Sequence, residues 1–195
     1  LNSMKKPQNR LLYLLAVLLS TVAVNAQKKI INIEMSNIRW YGEQITGKEH
    51  FGNLKFLDGE IELKNDIVVS GFFTVDMNSL TVEDLSGTGK KRLEGHLKGE
   101  NWFGVSSFPE SKLKITQIGK VEGDVQKIQA DLSIKGNTNG VTFSFEMVSE
   151  NNANSNLTFN RAKYNVTNRS GSFFDDLGDR LILDDIRLEV DLHFN

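Results

Sequence analysis

Alternation of apolar and polar residues along most of the chain is the feature that most constrains its fold. The clearest run, near the C-terminus, consists of Ile186, Leu188, Val190, Leu192 and Phe194, with ionisable residues between them. Successive side chains of a β-strand point to opposite faces, so this period of two predicts a strand with one buried face. Runs of the same kind occur at residues 31–35, 54–56, 61–63, 67–77, 113–115, 130–134 and 141–147.

Turn signals separate these runs. They lie at residues 57–59, 64–66 and 118–120, and the Gly136 to Gly140 stretch predicts a tight hairpin between Lys135 and Val141. The Asn-rich segment from Ser149 to Asn156 predicts a polar loop in solvent. Short helices are expected only at about residues 89–99 and around residues 173–179, because no part of residues 27–195 carries a long helical period.

About eight strands joined mostly by short turns predict an all-β domain, either a closed antiparallel barrel or a sandwich. An eight-stranded barrel has room for packed side chains or for one small ligand. Alternation alone does not decide between a filled and a hollow barrel.

The N-terminal 26 residues have the layout of a secretory signal peptide. Residues 1–3 precede a Met4 start, residues 4–10 are basic, and residues 11–24 are almost entirely apolar. Val24 and Ala26 are small residues at plausible cleavage positions. A transmembrane anchor is the alternative, but this apolar run is short against the roughly 20 residues that a span needs. We therefore predict a signal peptide at 1–26 and one exported domain at 27–195, in the periplasm or secreted.

Charge and cysteine content exclude several classes of function. Cleavage would remove three of the 23 basic residues and none of the 25 acidic ones, which changes the net charge from −2 to about −5. An acidic domain without a basic cluster is a poor nucleic-acid binder, and it has little attraction for anionic membranes. Because the chain has no cysteine, its core alone must hold the exported domain together.

The segment from Leu93 to Pro109 is unusually apolar for a connection between strands. It contains Trp102, Phe103, Phe108, a histidine and the only proline of residues 27–195. Such a segment is expected to fold over apolar surface, where it closes a core or caps a cavity.

Several segments, in order and spacing, resemble the YceI-like family of exported bacterial proteins over residues 30–195. They are Ile38-Arg39-Trp40-Tyr41-Gly42, Glu49-His50-Phe51-Gly52, Phe56-Leu57-Asp58-Gly59, 71–80 with Asp84, 93–98, Trp102-Phe103-Gly104-Val105 with Phe108-Pro109, 123–124 with 130–138, 161–166, and 171–179. The chain departs from the family pattern at residues 100–102 and 160–162, where bulk and polarity are kept.

The resemblance implies a closed, eight-stranded, lipocalin-like antiparallel β-barrel with a long apolar tunnel and one or two short helices. It also implies an apolar ligand, an isoprenoid lipid or isoprenoid quinone, held for sequestration or transport. The residues expected to contact it are Trp40, Phe56, Phe73, Phe143 and Phe145 on the inner wall, with Trp102 and Phe103 near a lid or opening. The lipid is the one partner expected. No nucleic acid and no stable membrane insertion are expected, and a homodimer is permitted.

We predict no catalytic residue, no metal and no cofactor apart from the lipid. His50, His96 and His193 fall in different elements without metal-ligand spacing, and no motif pairs a serine with a base. His50 and His96 are expected to make structural hydrogen bonds or, as the alternative, to contact a polar head group near a barrel mouth. A second hypothesis is a side-chain-filled barrel that acts as a structural or envelope-stress interaction protein. An enzyme has the least support.

Overall fold

The computed structural model describes residues 26–195, so that all but the last residue of the predicted signal peptide lie outside the described part. Its strands are β1 (Gln27–Ile30), β2 (Asn37–Glu43), β3 (Glu49–Lys64), β4 (Ile67–Asp76), β5 (Glu110–Glu122), β6 (Val125–Ile134), β7 (Asn137–Ser149), β8 (Asn152–Asn160) and β9 (Asp185–His193). One α-helix, α1 (Gly87–Lys98), connects β4 to β5, and single 3-10 turns occupy Met77–Ser79, Arg161–Tyr164 and Gly178–Arg180.

Strands β2 to β9 close into an antiparallel barrel. Their order is β3-β2-β9-β8-β7-β6-β5-β4, and β4 returns to pair with β3. The long strand β3 pairs with β2 through its first half and with the extra strand β1 through its second half. This confirms the prediction of a closed, eight-stranded, lipocalin-like barrel over a sandwich.

A β-bulge in β3 explains why its apolar alternation changes phase. Leu54 and Phe56 are buried at even positions, whereas Ile61 and Leu63 are buried at odd positions. The register with β4 shifts between Phe56 and Asp58, and the extra residue, Leu57, is exposed. A bulge inserts one residue into a strand, so both halves of β3 keep their apolar side chains inside the barrel.

The prediction of a solvent loop at residues 149–156 is wrong. The chain turns at 150–151, and β8 begins at Asn152, in register with both β7 and β9. Ala153 and Ser155 are buried there, while the intervening asparagines face outward. The strand period is present, but its inward residues are too small and too polar to mark a buried face in the sequence.

The predicted hairpin before β7 exists, but its turn is shorter than expected. Lys135 and Gly136 both have positive φ, 50° and 75°, and Ile134 already pairs with Asn137. Two central residues of positive φ form the type I′ turn that matches the twist of the flanking strands. The Asn and Thr residues expected in the turn therefore begin β7.

Of the two predicted helices, only the first forms. Helix α1 agrees with the expectation at 89–99 and buries Leu97 against the barrel. Around residues 173–179 there is no α-helix, and a 3-10 turn starts only at Gly178. Phe173 and Phe174 are adjacent and about half exposed, so they do not form the apolar stripe that would bury a helix face.

The barrel interior is packed at the end that β1 covers. Ile61, Val68 and Ile128 are almost completely buried there, and Ile31 bridges to Phe194 beside them. The side chain of Gln126 satisfies both backbone groups of Val68, with distances of 3.0 Å from its Oε1 and 2.9 Å from its Nε2. Among residues 26–195, no helix is both long and apolar enough to span a bilayer.

Candidate functional site: two cavities in line

The end of the barrel beside α1 contains a cavity of about 570 Å³. Strands β2, β3 and β4 contribute apolar side chains to its wall, and so do β6, β8 and β9. The inward positions of these strands carry branched and aromatic residues, so the wall is mainly apolar. Leu93 and Leu97 of α1 close it from above.

A second cavity of about 80 Å³ lies deeper in the barrel. Phe56, Phe73, Phe143, Phe145 and Leu157 surround it. Phe56 and Phe73 pack with their ring centroids 5.8 Å apart, a favourable tilted arrangement.

Five side chains line both cavities and form the boundary between them, which we call the waist. They are Ile38, Val75, Ser111, Leu132 and Leu188. The hydroxyl of Ser111 is buried and has no hydrogen-bond partner within the described residues. The barrel is therefore hollow towards α1, narrowed at the waist, and packed at its far end.

The seven side chains predicted to contact a ligand fall into two groups. Trp40, Trp102 and Phe103 line the larger cavity. The remaining four, Phe56, Phe73, Phe143 and Phe145, line the smaller one. All seven are at most 9% exposed, so core packing and ligand contact are both open to them.

The apolar connector after α1 lies across the mouth of the larger cavity. Its backbone folds back on the helix end, since Phe103 N–H donates to Leu97 O and Val105 N–H donates to Lys98 O. Gly104 has a φ of +56°, which lets the chain reverse there. Trp102, Phe103 and Val105 are buried as a result, in agreement with the expectation that this segment covers apolar surface.

The guanidinium of Arg161 packs against the Trp102 ring. The sequence did not identify Arg161 as a site residue. Its guanidinium is fully buried and donates to three carbonyls, Leu183 O, Val166 O and Ile182 O, at 2.8–3.1 Å. Burial lowers the pKa of Arg161. The carboxylate of Asp184, whose Oδ1 lies 3.3 Å from Arg161 Nη2, acts to raise that pKa. The only signal for it in the sequence is its place in the family-like triplet 160–162.

Polar residues form the rim of the larger cavity. His50 lies in its wall, and His50 Nδ1 is 2.6 Å from Asp84 Oδ2. Asp84 Oδ1 also accepts the Phe51 N–H at 3.1 Å. The other charged or ionisable side chains of the lining are Glu43, His96, Glu100 and Arg169. The sequence placed His50 and Asp84 in family-like segments but could not pair them across 34 residues.

The segment from Leu80 to Asp84 runs against β3 and fixes this rim. Thr81 N–H donates to Asn53 O at 3.0 Å, and Glu83 N–H donates to Phe51 O at 2.8 Å. Trp40 Nε1–H donates to Thr81 O at 3.0 Å, so the cavity wall and the rim are joined. Within residues 26–195, no group of three or more His, Asp or Glu side chains could hold a metal ion.

The family profile and the solved structures to which this chain is similar agree with a closed barrel of this kind. The profile of the YceI-like domain matches residues 30–194. No curated protein sequence matches the chain significantly.

Three solved structures share the fold at low identity. BcnA of Burkholderia cenocepacia is 18% identical, with 83% of this chain and 98% of that chain covered and a TM-score of 0.63. A polyisoprenoid binding domain of Saccharophagus degradans, implicated in plant cell wall breakdown, is 12% identical, with coverage of 88% and 99% and a TM-score of 0.55. The YCEI protein of Campylobacter jejuni is 14% identical, with coverage of 66% and 73% and a TM-score of 0.50. The profile match spans most of the chain, and the chain therefore belongs to the YceI-like family.

Proposed function

We propose that the protein is an exported carrier that holds a long apolar ligand, an isoprenoid lipid or isoprenoid quinone, inside the barrel. The observation that carries this proposal is the mainly apolar cavity of about 570 Å³ beneath α1, which continues towards a second cavity. Its volume lies within the range of roughly 300–1,000 Å³ that is typical of small-molecule sites. A side-chain-filled barrel, the alternative, would have no such cavity.

Burial of the ligand's tail would supply most of the affinity. Transfer of hydrocarbon from water is favourable by about 0.8 kcal/mol per methylene, so a long tail needs few polar contacts. The wall offers branched aliphatic and aromatic side chains, which accept methyl-branched chains without specific geometry. Retention of such a ligand requires no catalytic step, and we infer a binding protein rather than an enzyme.

The two groups of aromatic residues would act at different depths. Trp40, Trp102 and Phe103 are proposed to contact the part of the ligand near the mouth. The four phenylalanines around the smaller cavity would contact the end of the tail when the waist side chains move apart. The solved relative described as a polyisoprenoid binding domain supports this ligand class.

The signal-like N-terminus supports export, and this proposal agrees with the family to which the chain belongs. We propose a periplasmic or secreted domain comprising residues 27–195, which takes up its ligand after removal of residues 1–26. Two expectations stay predictions: that the protein has no nucleic-acid partner, and that the domain is able to form a homodimer.

Mass spectrometry of organic extracts of the purified protein tests the ligand class directly. Both tryptophans of the chain, Trp40 and Trp102, lie in the wall of the larger cavity, so their fluorescence reports occupancy. Delipidated protein is expected to show saturable changes in emission with a C20 isoprenoid alcohol. Absence of an extracted lipid, together with no response to added isoprenoids, would contradict the proposal.

A further inference from the structure

The pair formed by His50 and Asp84 gives the cavity mouth a hydrogen-bonding group that the barrel itself does not use. Asp84 Oδ1 accepts the Phe51 N–H, and Asp84 Oδ2 lies within hydrogen-bond distance of His50 Nδ1, so both oxygens are engaged by β3. An ionised carboxylate only accepts hydrogen bonds, so a neutral imidazole in this contact carries its proton on Nδ1. Nε2 is then an acceptor, and it has no hydrogen-bond partner among the described residues.

We propose that His50 Nε2 accepts a hydrogen bond from the hydroxyl group of an apolar ligand, and that Asp84 is the positioning residue that fixes the ring for this role. The inference rests on the proposed function and narrows its ligand class to tails with a neutral hydroxyl head, such as a polyprenol or the reduced form of an isoprenoid quinone.

Burial favours this role over a purely structural one. The side chains of His50 and Asp84 are only 16% and 15% exposed, and His50 is part of the cavity wall. A ligand hydroxyl in a largely dry cavity needs a partner, because an unsatisfied buried hydroxyl is unfavourable. His50 shares the cavity lining with the polar residues of the rim, so the head group of a ligand whose tail enters the barrel would lie near it.

The charges of the rim argue for a neutral head group. Glu43 and Glu100 line the same cavity, and Arg169 is the one lysine or arginine in its described lining. A diphosphate would meet two carboxylates and a single guanidinium, which is the reverse of the cation-rich surroundings that phosphate groups prefer.

Fluorescence titration of the delipidated full domain with three matched ligands tests the proposal. The ligands are geranylgeraniol, its methyl ether, which cannot donate a hydrogen bond, and its diphosphate. Wild-type protein is expected to bind the alcohol about tenfold more tightly than the ether, the effect of one buried hydrogen bond. His50→Phe is expected to bind both alike and to keep the wild-type affinity for the ether.

The chain offers a matched control in a second histidine–aspartate pair. His193 Nε2 lies 3.4 Å from Asp191 Oδ2 and does not line either cavity. His193→Gln is therefore expected to keep the full preference for the alcohol. Equal binding of alcohol and ether by wild-type protein, a preference retained by His50→Phe, or tighter binding of the diphosphate would overturn the inference. If none of the three ligands changes the emission and organic extracts of the protein contain no lipid, the proposed function itself fails.

Nitrogen NMR of the histidine rings provides a readout that does not depend on the folding of His50→Phe. The chain has three histidines, so the signals of His50 can be assigned by substitution of His96 and His193. Wild-type His50 is expected to show the tautomer protonated at Nδ1, and Asp84→Asn is expected to shift it towards the tautomer protonated at Nε2 and to abolish the preference for the alcohol. An unchanged tautomer and preference in Asp84→Asn would overturn the positioning role.

Discussion

The guanidinium carbon of Arg161 lies 5.1 Å from the centroid of the Trp102 ring, so a fully buried cation lies against an aromatic residue of the cavity wall. A desolvated guanidinium over an indole face is a favourable contact, and the carbonyls of residues 166, 182 and 183 hold it in place. Arg161 therefore ties together three parts of the cavity mouth: the end of β8, the segment before β9 and the connector after α1.

Replacement of Arg161 is expected to destabilise the whole domain. Arg161→Met would leave Asp184 without its cation and three buried or partly buried carbonyls without this donor, a loss of about 3–5 kcal/mol in the free energy of unfolding. Trp102 would also lose its contact with the guanidinium and become more exposed to water, which shifts its fluorescence emission to longer wavelength. Urea unfolding followed by tryptophan fluorescence measures both effects.

Arg187 provides the control for this prediction. It also lies over an aromatic ring, 3.7 Å from the centroid of Tyr41, but on the outer surface of the barrel. Arg187→Met is expected to change the free energy of unfolding by less than about 1 kcal/mol, as is usual for exposed cations. Equal effects of the two substitutions would contradict a special role for Arg161.

Tyr164 is expected to make stability depend on alkaline pH. Its hydroxyl is buried without a partner in the described residues, and burial raises the pKa of Tyr164 from 10.0 to about 12. Between these values the unfolded chain releases the proton while the folded chain keeps it. The unfolded state then binds fewer protons, and the free energy of unfolding falls by up to about 1.4 kcal/mol per pH unit.

Tyr164→Phe is expected to remove this alkaline loss and to leave neutral stability unchanged or raised, because it deletes an unpaired buried hydroxyl. Urea unfolding at neutral pH and at several values between the two pKa values measures both effects. Tyr41→Phe, which deletes an exposed hydroxyl bonded to Glu189, should keep the part of the loss that Tyr164 causes. The same alkaline slope in wild-type protein and Tyr164→Phe would contradict the prediction.

The alternation in the sequence predicted an all-β domain because residues such as Ile186 and Leu188 mark one face of a strand, and the closed barrel was favoured over a sandwich by the family resemblance. It failed at Ala153 and Ser155, since small inward residues beside asparagines read as a loop. Five of the aromatic lining residues were identified because large apolar side chains at inward phases of strands have few other places to lie, and Trp102 and Phe103 were identified from the unusually apolar connector. Arg161 and the pair of His50 with Asp84 depend on contacts between distant segments, which a single sequence does not encode locally.

A side chain at Gly52 is expected to destabilise the domain, because the segment from Leu80 to Asp84 packs closely against β3 at this residue. A Cβ atom at Gly52 would lie 1.8 Å from Thr81 O and 2.9 Å from Trp40 Nε1. Gly52→Ala would therefore displace the backbone at Thr81, with a loss of about 1–3 kcal/mol in the free energy of unfolding. The change is measured by urea unfolding, and loss of the bond from Trp40 should shift its emission.

Gly140 is the matched glycine for this experiment. It also lies in a strand, β7, but a Cβ atom there would have no neighbour within 4 Å. Gly140→Ala is expected to alter the free energy of unfolding by no more than about 0.5 kcal/mol. If Gly52→Ala behaves like Gly140→Ala, the segment at residues 80–84 is not held against β3 as described.

The waist is expected to set the length of tail that the barrel accepts. Leu132 lines both cavities, so Leu132→Ala should join them and Leu132→Phe should narrow the passage between them. With isoprenoid alcohols of increasing length, Leu132→Ala should shift the preference towards longer tails and Leu132→Phe towards shorter ones. Tryptophan fluorescence titration across the series measures the affinities.

Loss of stability must be separated from this change in preference. Leu132→Ala is expected to lower the free energy of unfolding by about 2–5 kcal/mol, as large-to-small core substitutions do. Ile128→Ala carries a similar deletion on the same strand, but Ile128 is buried in the packed end and lines neither cavity. It should therefore lose comparable stability and keep the wild-type length preference. A shift shared by Ile128→Ala would mean that general loosening of the barrel, and not the waist, selects the tail.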